Sequence, residues 1–175
     1  MGAKKLSPLR FNFGFLLEAD LGTSREIELD YPVIRIAADV TLSPLQGVFQ
    51  ATRTSRGIYI QGNLHSHIAV ECARCLTETM LPITIHLDDL YYSQGPVPTG
   101  EYRIGENGIL DLAPLVREVS LLEVPMQPIC RPDCRGLCVT CGQNLNEGTC
   151  NCETDDIDPR LAALRALLPG ATDEN

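Results

Sequence analysis

Eight cysteines constrain this chain more than any other feature, and six of them fall within twenty-three positions: Cys130, Cys134, Cys138, Cys141, Cys150 and Cys152. The other two, Cys72 and Cys75, form a separate C-x-x-C in the upstream stretch ValGluCysAlaArgCysLeu. Eight thiols divide evenly into two four-thiolate sites, and paired cysteines at this spacing suit a structural zinc ion. The spacing therefore predicts two zinc ions per chain, held by all eight cysteines. Disulfides are the competing use of an even cysteine count. C-x-x-C pairs seldom make good structural disulfides, and the first residues do not read as an export signal, because Arg10 and Asn12 interrupt their only apolar stretch. A cytoplasmic, reducing setting is expected. Neither pair opens a helix in a βαβ setting, which argues against a thioredoxin-like redox pair.

Two pairings remain open. In one, Cys138, Cys141, Cys150 and Cys152 form a local site, while Cys72 and Cys75 join Cys130 and Cys134 across the chain. In the other, the two C-x-x-C turns share one ion and leave Cys130, Cys134, Cys150 and Cys152 for the second. The first is preferred because the eleven residues between Cys138 and Cys150 close into a loop at small entropic cost. Neither scheme keeps an open ligand position, so a catalytic zinc is not expected.

The hydrophobic pattern places these turns on a scaffold. Ile34, Ile36, Ala38, Val40 and Leu42 alternate with other residues as in a half-buried strand. Further runs cover 48–52, Ile58–Ile60 and Leu64–Val70, with Gly62 read as a bulge or bend. Leu81, Ile83, Ile85 and Leu87 alternate again after the first C-x-x-C, which places that turn at a hairpin tip. Arg10–Leu17 is a weaker strand candidate. The tight spacing leaves no room for crossover helices, so an antiparallel meander or partly closed barrel is expected. Asp111 reads as the cap of a helix carrying Leu112, Leu115, Val116, Val119 and Leu122 on one face, stopped by Pro125 and Pro128. A second helix is expected from Asp158, with Leu161, Leu164 and Leu168 on one side.

The fold class is thus α+β, a sheet packed by one or two helices with a C-terminal zinc-bound lobe. Residues 1–92 form the scaffold, 93–108 a flexible Gly/Pro loop, 109–170 the helix, cysteine-rich lobe and final helix, and 171–175 a disordered tail. The lobe has too little apolar content to fold without metal.

The net charge is −9 and unevenly spread: residues 1–75 hold eight Lys/Arg against seven Asp/Glu, and 76–175 hold six against sixteen. Such a chain suits a basic partner, or a local contact with RNA, better than a broad phosphate-neutralising surface. Arg53, Arg56 and Arg74 are the candidate RNA contacts near the hairpin ends. His65 and His67 share a strand face and read as solvated residues in preference to ligands, and His86 adds nothing. The acidic run Glu153, Asp155, Asp156 and Asp158 reads as capping and solvation, with contact to a basic protein as its sharper use. No phosphate-binding loop, nucleophile elbow or dinucleotide fingerprint occurs. A zinc-dependent hydrolase or nuclease and a thiol redox sensor are the alternatives from other classes.

Taken in order, ValGluCysAlaArgCysLeuThr, ProIleCysArgProAspCysArgGlyLeuCysValThrCysGlyGlnAsnLeuAsn, CysAsnCys and AspProArgLeuAlaAlaLeu resemble the large ribosomal RNA subunit accumulation protein family, the YceD family, over residues 34–168. The resemblance implies a non-enzymatic ribosome-biogenesis factor. Its expected partner is a large-subunit precursor, met through a basic ribosomal protein or ribosomal RNA, with no membrane and no small-molecule substrate.

Overall fold

The computed structural model describes residues 9–152 and Leu164. In chain order the elements are β1 (Arg10–Asn12), α1 (Gly14–Leu17), β2 (Ser24–Tyr31), β3 (Ile34–Arg35), β4 (Thr41–Arg53), β5 (Gly57–Glu71) and β6 (Glu78–Tyr92). After β6 come β7 (Tyr102–Arg103), a 3-10 turn (Glu106–Gly108), β8 (Ile109–Asp111) and α2 (Ala113–Leu122). The expected C-terminal helix, acidic run and tail lie outside the described residues.

The sheet is open, with strand order β2-β4-β5-β6-β7 and β3 paired to β4. This corrects the barrel alternative: β2 and β7 occupy opposite edges and do not pair, so among the described residues the sheet stays open. It also corrects the all-antiparallel reading, because β7 runs parallel to β6 through Tyr91↔Tyr102 and Tyr92↔Arg103. The Tyr91 and Tyr102 rings stack at 5.0 Å, which gives this two-residue strand an anchor beyond its backbone pairing.

The spine is the β5–β6 hairpin, paired without interruption from Gly57↔Tyr92 to Glu71↔Glu78. At about 3.3 Å per residue, each of these 15-residue strands extends roughly 50 Å before twist shortens it. Its side chains alternate as the sequence pattern requires: Leu64, Ser66 and Ile68 are buried, while His65 and His67 face outward. On the inner face Phe49, Leu64, Ile85 and Leu87 join Leu9, Phe13 and Leu16 from the N-terminal segment and Leu112, Leu115 and Val116 from α2. Burying Phe13 and Phe49 contributes about 1.5–3 kcal/mol for each ring.

Four local expectations change. Residues 34–42 are not one strand but a tight hairpin, with Ile34 opposite Leu42. Its turn closes where the Ile36 and Ala37 N–H groups both donate to the Val40 carbonyl. Gly62 is not a bulge, since β5 pairs continuously through it. It is glycine because a Cβ there would sit 2.6 Å from the Phe49 Cα across the strand. The register shift lies instead between Leu42 and Leu45. Arg10–Leu17 divides into strand β1, paired with β8, and the short α1.

The fourth change concerns the start of α2, where Leu112 occupies the cap position. The Asp111 side chain still serves that end: its Oδ1 accepts the Ala113 N–H at 3.1 Å, and its Oδ2 meets Arg10 at 2.8 Å. From there α2 runs toward Asp39, which pairs with Arg117. The chain beyond it reaches the β5–β6 tip, where the Ala73 N–H donates to the Pro128 carbonyl at 2.8 Å. Helix and hairpin thus deliver the cysteines to one place from opposite directions.

Candidate metal centres

Cys72 and Cys75 occupy the turn between β5 and β6, as the alternating flanks require. The Cys72 N–H donates to the Thr77 carbonyl at 3.0 Å, and the Leu76 N–H donates to the Cys72 carbonyl at 2.9 Å. Cys138–Cys141 repeats this turn bond for bond: Cys138 N–H to the Gln143 carbonyl at 2.8 Å, and Gly142 N–H to the Cys138 carbonyl at 2.9 Å. Both turns need a positive φ at the residue after the second cysteine. The second supplies Gly142 at +74°; the first uses Leu76 at +58°. A left-handed conformation costs a non-glycine residue about 1–2 kcal/mol.

The sulfurs gather into two groups, Cys72/Cys75/Cys130/Cys134 and Cys138/Cys141/Cys150/Cys152, each with all Sγ atoms within 4.8 Å of one another. This is the first of the two pairings. In the first group Cys72 Sγ lies 3.9 Å from Cys134 Sγ, and Cys75 Sγ lies 3.7 Å from Cys130 Sγ. A tetrahedral ion with metal–sulfur bonds of about 2.3 Å places its ligands about 3.8 Å apart, whereas a disulfide needs about 2.05 Å. The geometry fits a metal and excludes a bond between these sulfurs in this state.

Electrostatics agree with a cation. Backbone N–H groups of Cys75 and Cys130 bring the Cys72 thiol down to about 6, and those of Cys141 and Thr140 do the same for Cys138, also to about 6. Loss of solvent, then the neighbouring thiols, push Cys130 up to about 12. Cys152 rises to about 12, chiefly because Cys141 shares its proton and then through burial. Cys134 is lowered as well, chiefly by the Asn146 side chain; Cys130 and Cys152, pushed the other way, need a positive ion among the sulfurs before they ionise.

The surrounding shell contains residues that spacing alone does not reveal. Asn146 Nδ2 donates to Cys134 Sγ at 3.3 Å, while its Oδ1 accepts from the Arg135 N–H at 2.9 Å and from Arg131 Nη2 at 3.0 Å. Cys130 N–H donates to Cys72 Sγ at 3.3 Å. Gly136, at φ +76°, lets the lobe approach the hairpin: a Cβ there would sit 3.1 Å from the Arg74 carbonyl oxygen, which accepts the Leu137 N–H. The only available signal for Asn146 was the turn-rich composition of GlnAsnLeuAsnGluGly, which does not distinguish a sulfur donor from a loop residue.

The three arginines read as RNA contacts do not form one patch. Arg53 lies at the β4–β5 turn, its Nη1 donating to the Thr54 and Gly57 carbonyls. Arg56 stands 5.7 Å from the Tyr92 ring centre at the same end. Arg74 is at the opposite end of β5, its Nη1 donating to the Cys134 carbonyl at 3.1 Å. His65 and His86 lie on the outer sheet face beside Thr84 and Asn63, away from both cysteine groups.

Among the described residues no helix is long and apolar enough to cross a membrane. The chain is 29% identical over 157 residues to an uncharacterized protein of Mycobacterium leprae, covering 87% of this chain and 70% of that one. An uncharacterized protein of Mycobacterium tuberculosis is 32% identical over 124 residues, 68% of this chain but only 59% of the relative's length. A Zea mays protein named "Large ribosomal RNA subunit accumulation protein YCED homolog 1, chloroplastic" is 37% identical over 60 residues, 34% of this chain and 20% of its own. No solved structure matches. Residues 60–168, which hold most of the β5–β6 hairpin and all eight cysteines, match the family described as "Large ribosomal RNA subunit accumulation protein YceD", and the chain belongs to that family.

Proposed function

We propose that the protein is a non-enzymatic ribosome-biogenesis factor of the cytoplasm. It binds a large-subunit precursor, through an RNA element or a basic ribosomal protein, and supports accumulation of large-subunit ribosomal RNA. Two structural zinc ions hold its binding surface, one in each cysteine group. The observation that carries this reading is the family match over residues 60–168, which spans both candidate metal centres.

The geometry supports a structural role for the metal. Each group offers four thiols, which complete a tetrahedral shell and leave no position for a reacting water. The first group joins the hairpin tip to residues more than fifty positions away, so its ion acts as a clasp between the sheet and the lobe after α2. A structural zinc supplies folding free energy outright, which a lobe with few buried apolar side chains needs.

The test is affinity purification from cells, with identification of bound proteins and sequencing of bound RNA, alongside deletion of the gene. Large-subunit precursors should be enriched and large-subunit RNA depleted on deletion. Recovery of no ribosomal component at low salt, with unchanged RNA levels, would sink the reading. Elemental analysis should give about two zinc per chain. Iron in place of zinc, or an absorption spectrum showing a metal–water ligand, would overturn the structural-zinc assignment.

A further inference from the structure

Leu76 is the anomaly of the molecule. Its turn and the Cys138–Cys141 turn make the same backbone bonds, yet the second places Gly142 where the first strains a leucine into φ +58°. Glycine would relieve that strain, and packing does not repay it, because Leu76 is 57% exposed. A strained, exposed apolar residue that the fold does not need points to a contact made with something else.

Its surroundings indicate what. Arg74 is two residues away and holds the Cys134 carbonyl. Arg135 follows Cys134, and Arg131 shares Asn146 Oδ1 with the Arg135 N–H. All three arginines are exposed, in a chain of net charge −9. They do not neutralise the sulfurs: the hydrogen bonds to Cys72 and Cys134 come from the backbone N–H groups of Cys75, Cys130, Arg74 and Gly136 and from Asn146 Nδ2, not from a guanidinium. Asp133 offsets part of the Arg131 charge at 3.5 Å.

We infer that this metal-clasped hairpin tip is a single-stranded RNA contact, with Leu76 against an unstacked base and Arg74, Arg131 and Arg135 toward phosphates. Guanidinium groups match phosphate oxygens bidentately, and an apolar side chain beside them suits the face of a splayed base. A single-stranded loop offers an open base face for Leu76 together with phosphates for the arginines, whereas an acidic peptide offers only the charge. The inference rests on the proposed ribosomal role for the source of the RNA, and on the tip itself for its chemistry. It moves the RNA contact away from Arg53 and Arg56.

Zinc-loaded full-length protein would be titrated against a fluorescein-labelled oligouridylate and a mixed-sequence single strand, read by anisotropy at several salt concentrations. Leu76→Gly should weaken binding about fivefold or more while its thermal midpoint stays level or rises. Arg135→Gln should weaken binding and reduce the salt slope by about one. The inference is overturned by wild-type protein that ignores both strands at about 50 mM salt, or by Leu76→Gly binding as tightly as wild type. It is equally overturned if Leu76→Gly melts lower, which makes Leu76 a packing residue, or if a labelled glutamate-rich peptide binds the tip in preference to RNA. Protein that co-purifies with large-subunit precursors yet ignores the oligonucleotides refutes the tip contact alone. Protein that binds them but recovers no ribosomal component refutes the ribosomal role alone.

Discussion

The two cysteine groups share a ligand set and a turn geometry, yet they are built into the molecule differently. Cys72, Cys75 and Cys134 are buried and span 62 positions from Cys72 to Cys134, so an ion held by them would join sheet to lobe. Cys138 to Cys152 is a local loop with Cys138 buried, Cys141 exposed and Cys150 and Cys152 half-buried, so an ion there would brace the loop that carries Asn146 to Cys134. Closing a long loop removes more chain entropy than closing a short one, and burial slows exchange of the ion. Identical chemistry thus gives a clasp in one place and a local brace in the other.

The largest effect should follow from breaking the clasp. Cys72→Ser should halve the zinc content and lower the thermal midpoint by about 10 °C or more. Amide exchange should accelerate at the hairpin tip and in residues 128–137, while the core of β4 and β5 stays protected. If the lobe stays docked with its exchange unchanged, the first group is no clasp. Cys150→Ser should also halve the zinc content but leave the main melting transition in place, because all four cysteines of that group lie outside the sheet. Equal destabilisation by the two variants would erase the distinction.

A smaller effect tests the shell. Asn146 donates to Cys134 Sγ while its Oδ1 accepts from Arg131 and Arg135, so Asn146→Ala should weaken metal retention at the first group by about 10–100-fold. Chelator challenge should show it: wild type should lose the Cys141-side ion first and the buried one slowly, and the variant should bring the two rates together. A single loss rate in wild type would contradict the burial argument.

The clasp was more legible in the sequence than the sheet around it. A C-x-x-C between two alternating runs can hardly be other than a hairpin tip, and the short Cys138–Cys150 loop favoured the local grouping. The outer strand β2 was missed although Glu26, Glu28 and Asp30 alternate with Ile27 and Leu29. Edge strands carry charges on their solvent face, and that lowers the apolar signal on which a strand is recognised. Residues 34–42 misled for the opposite reason. Their alternation is real, but the backbone turns at Ile36–Val40, and side-chain periodicity does not report where a chain reverses. Gly62 looked like a bend because its partner was invisible: only the register shows Phe49 lying across it. Asn146 and the strain at Leu76 are properties of three-dimensional neighbours, which one sequence does not display.

The smallest effect separates the metal clasp from the polypeptide route that leads to it. Arg117 on α2 pairs with Asp39 in the β3–β4 turn, Nε at 3.0 Å from Oδ1 and Nη2 on Oδ2, which fixes α2 against the sheet before the chain reaches Cys130. The guanidinium's hydrogen bonds hold the Asp39 carboxyl below its ordinary value, against a smaller opposing effect of burial. A carboxylate lowered on folding stabilises at pH above its unfolded value, about 3.9, and the benefit is lost as pH falls through the lower folded value. Asp39→Asn should therefore lower the thermal midpoint by only about 1–3 °C, since both side chains are largely solvated. The difference should be equal at pH 7.5 and pH 6. Zinc content and the two chelation rates should stay as in wild type, because the clasp and not the ion pair fixes the lobe. If Asp39→Asn instead speeds loss of the buried ion, then α2 sets the position of Cys130 and Cys134, and the metal only reports on a junction that the helix already makes.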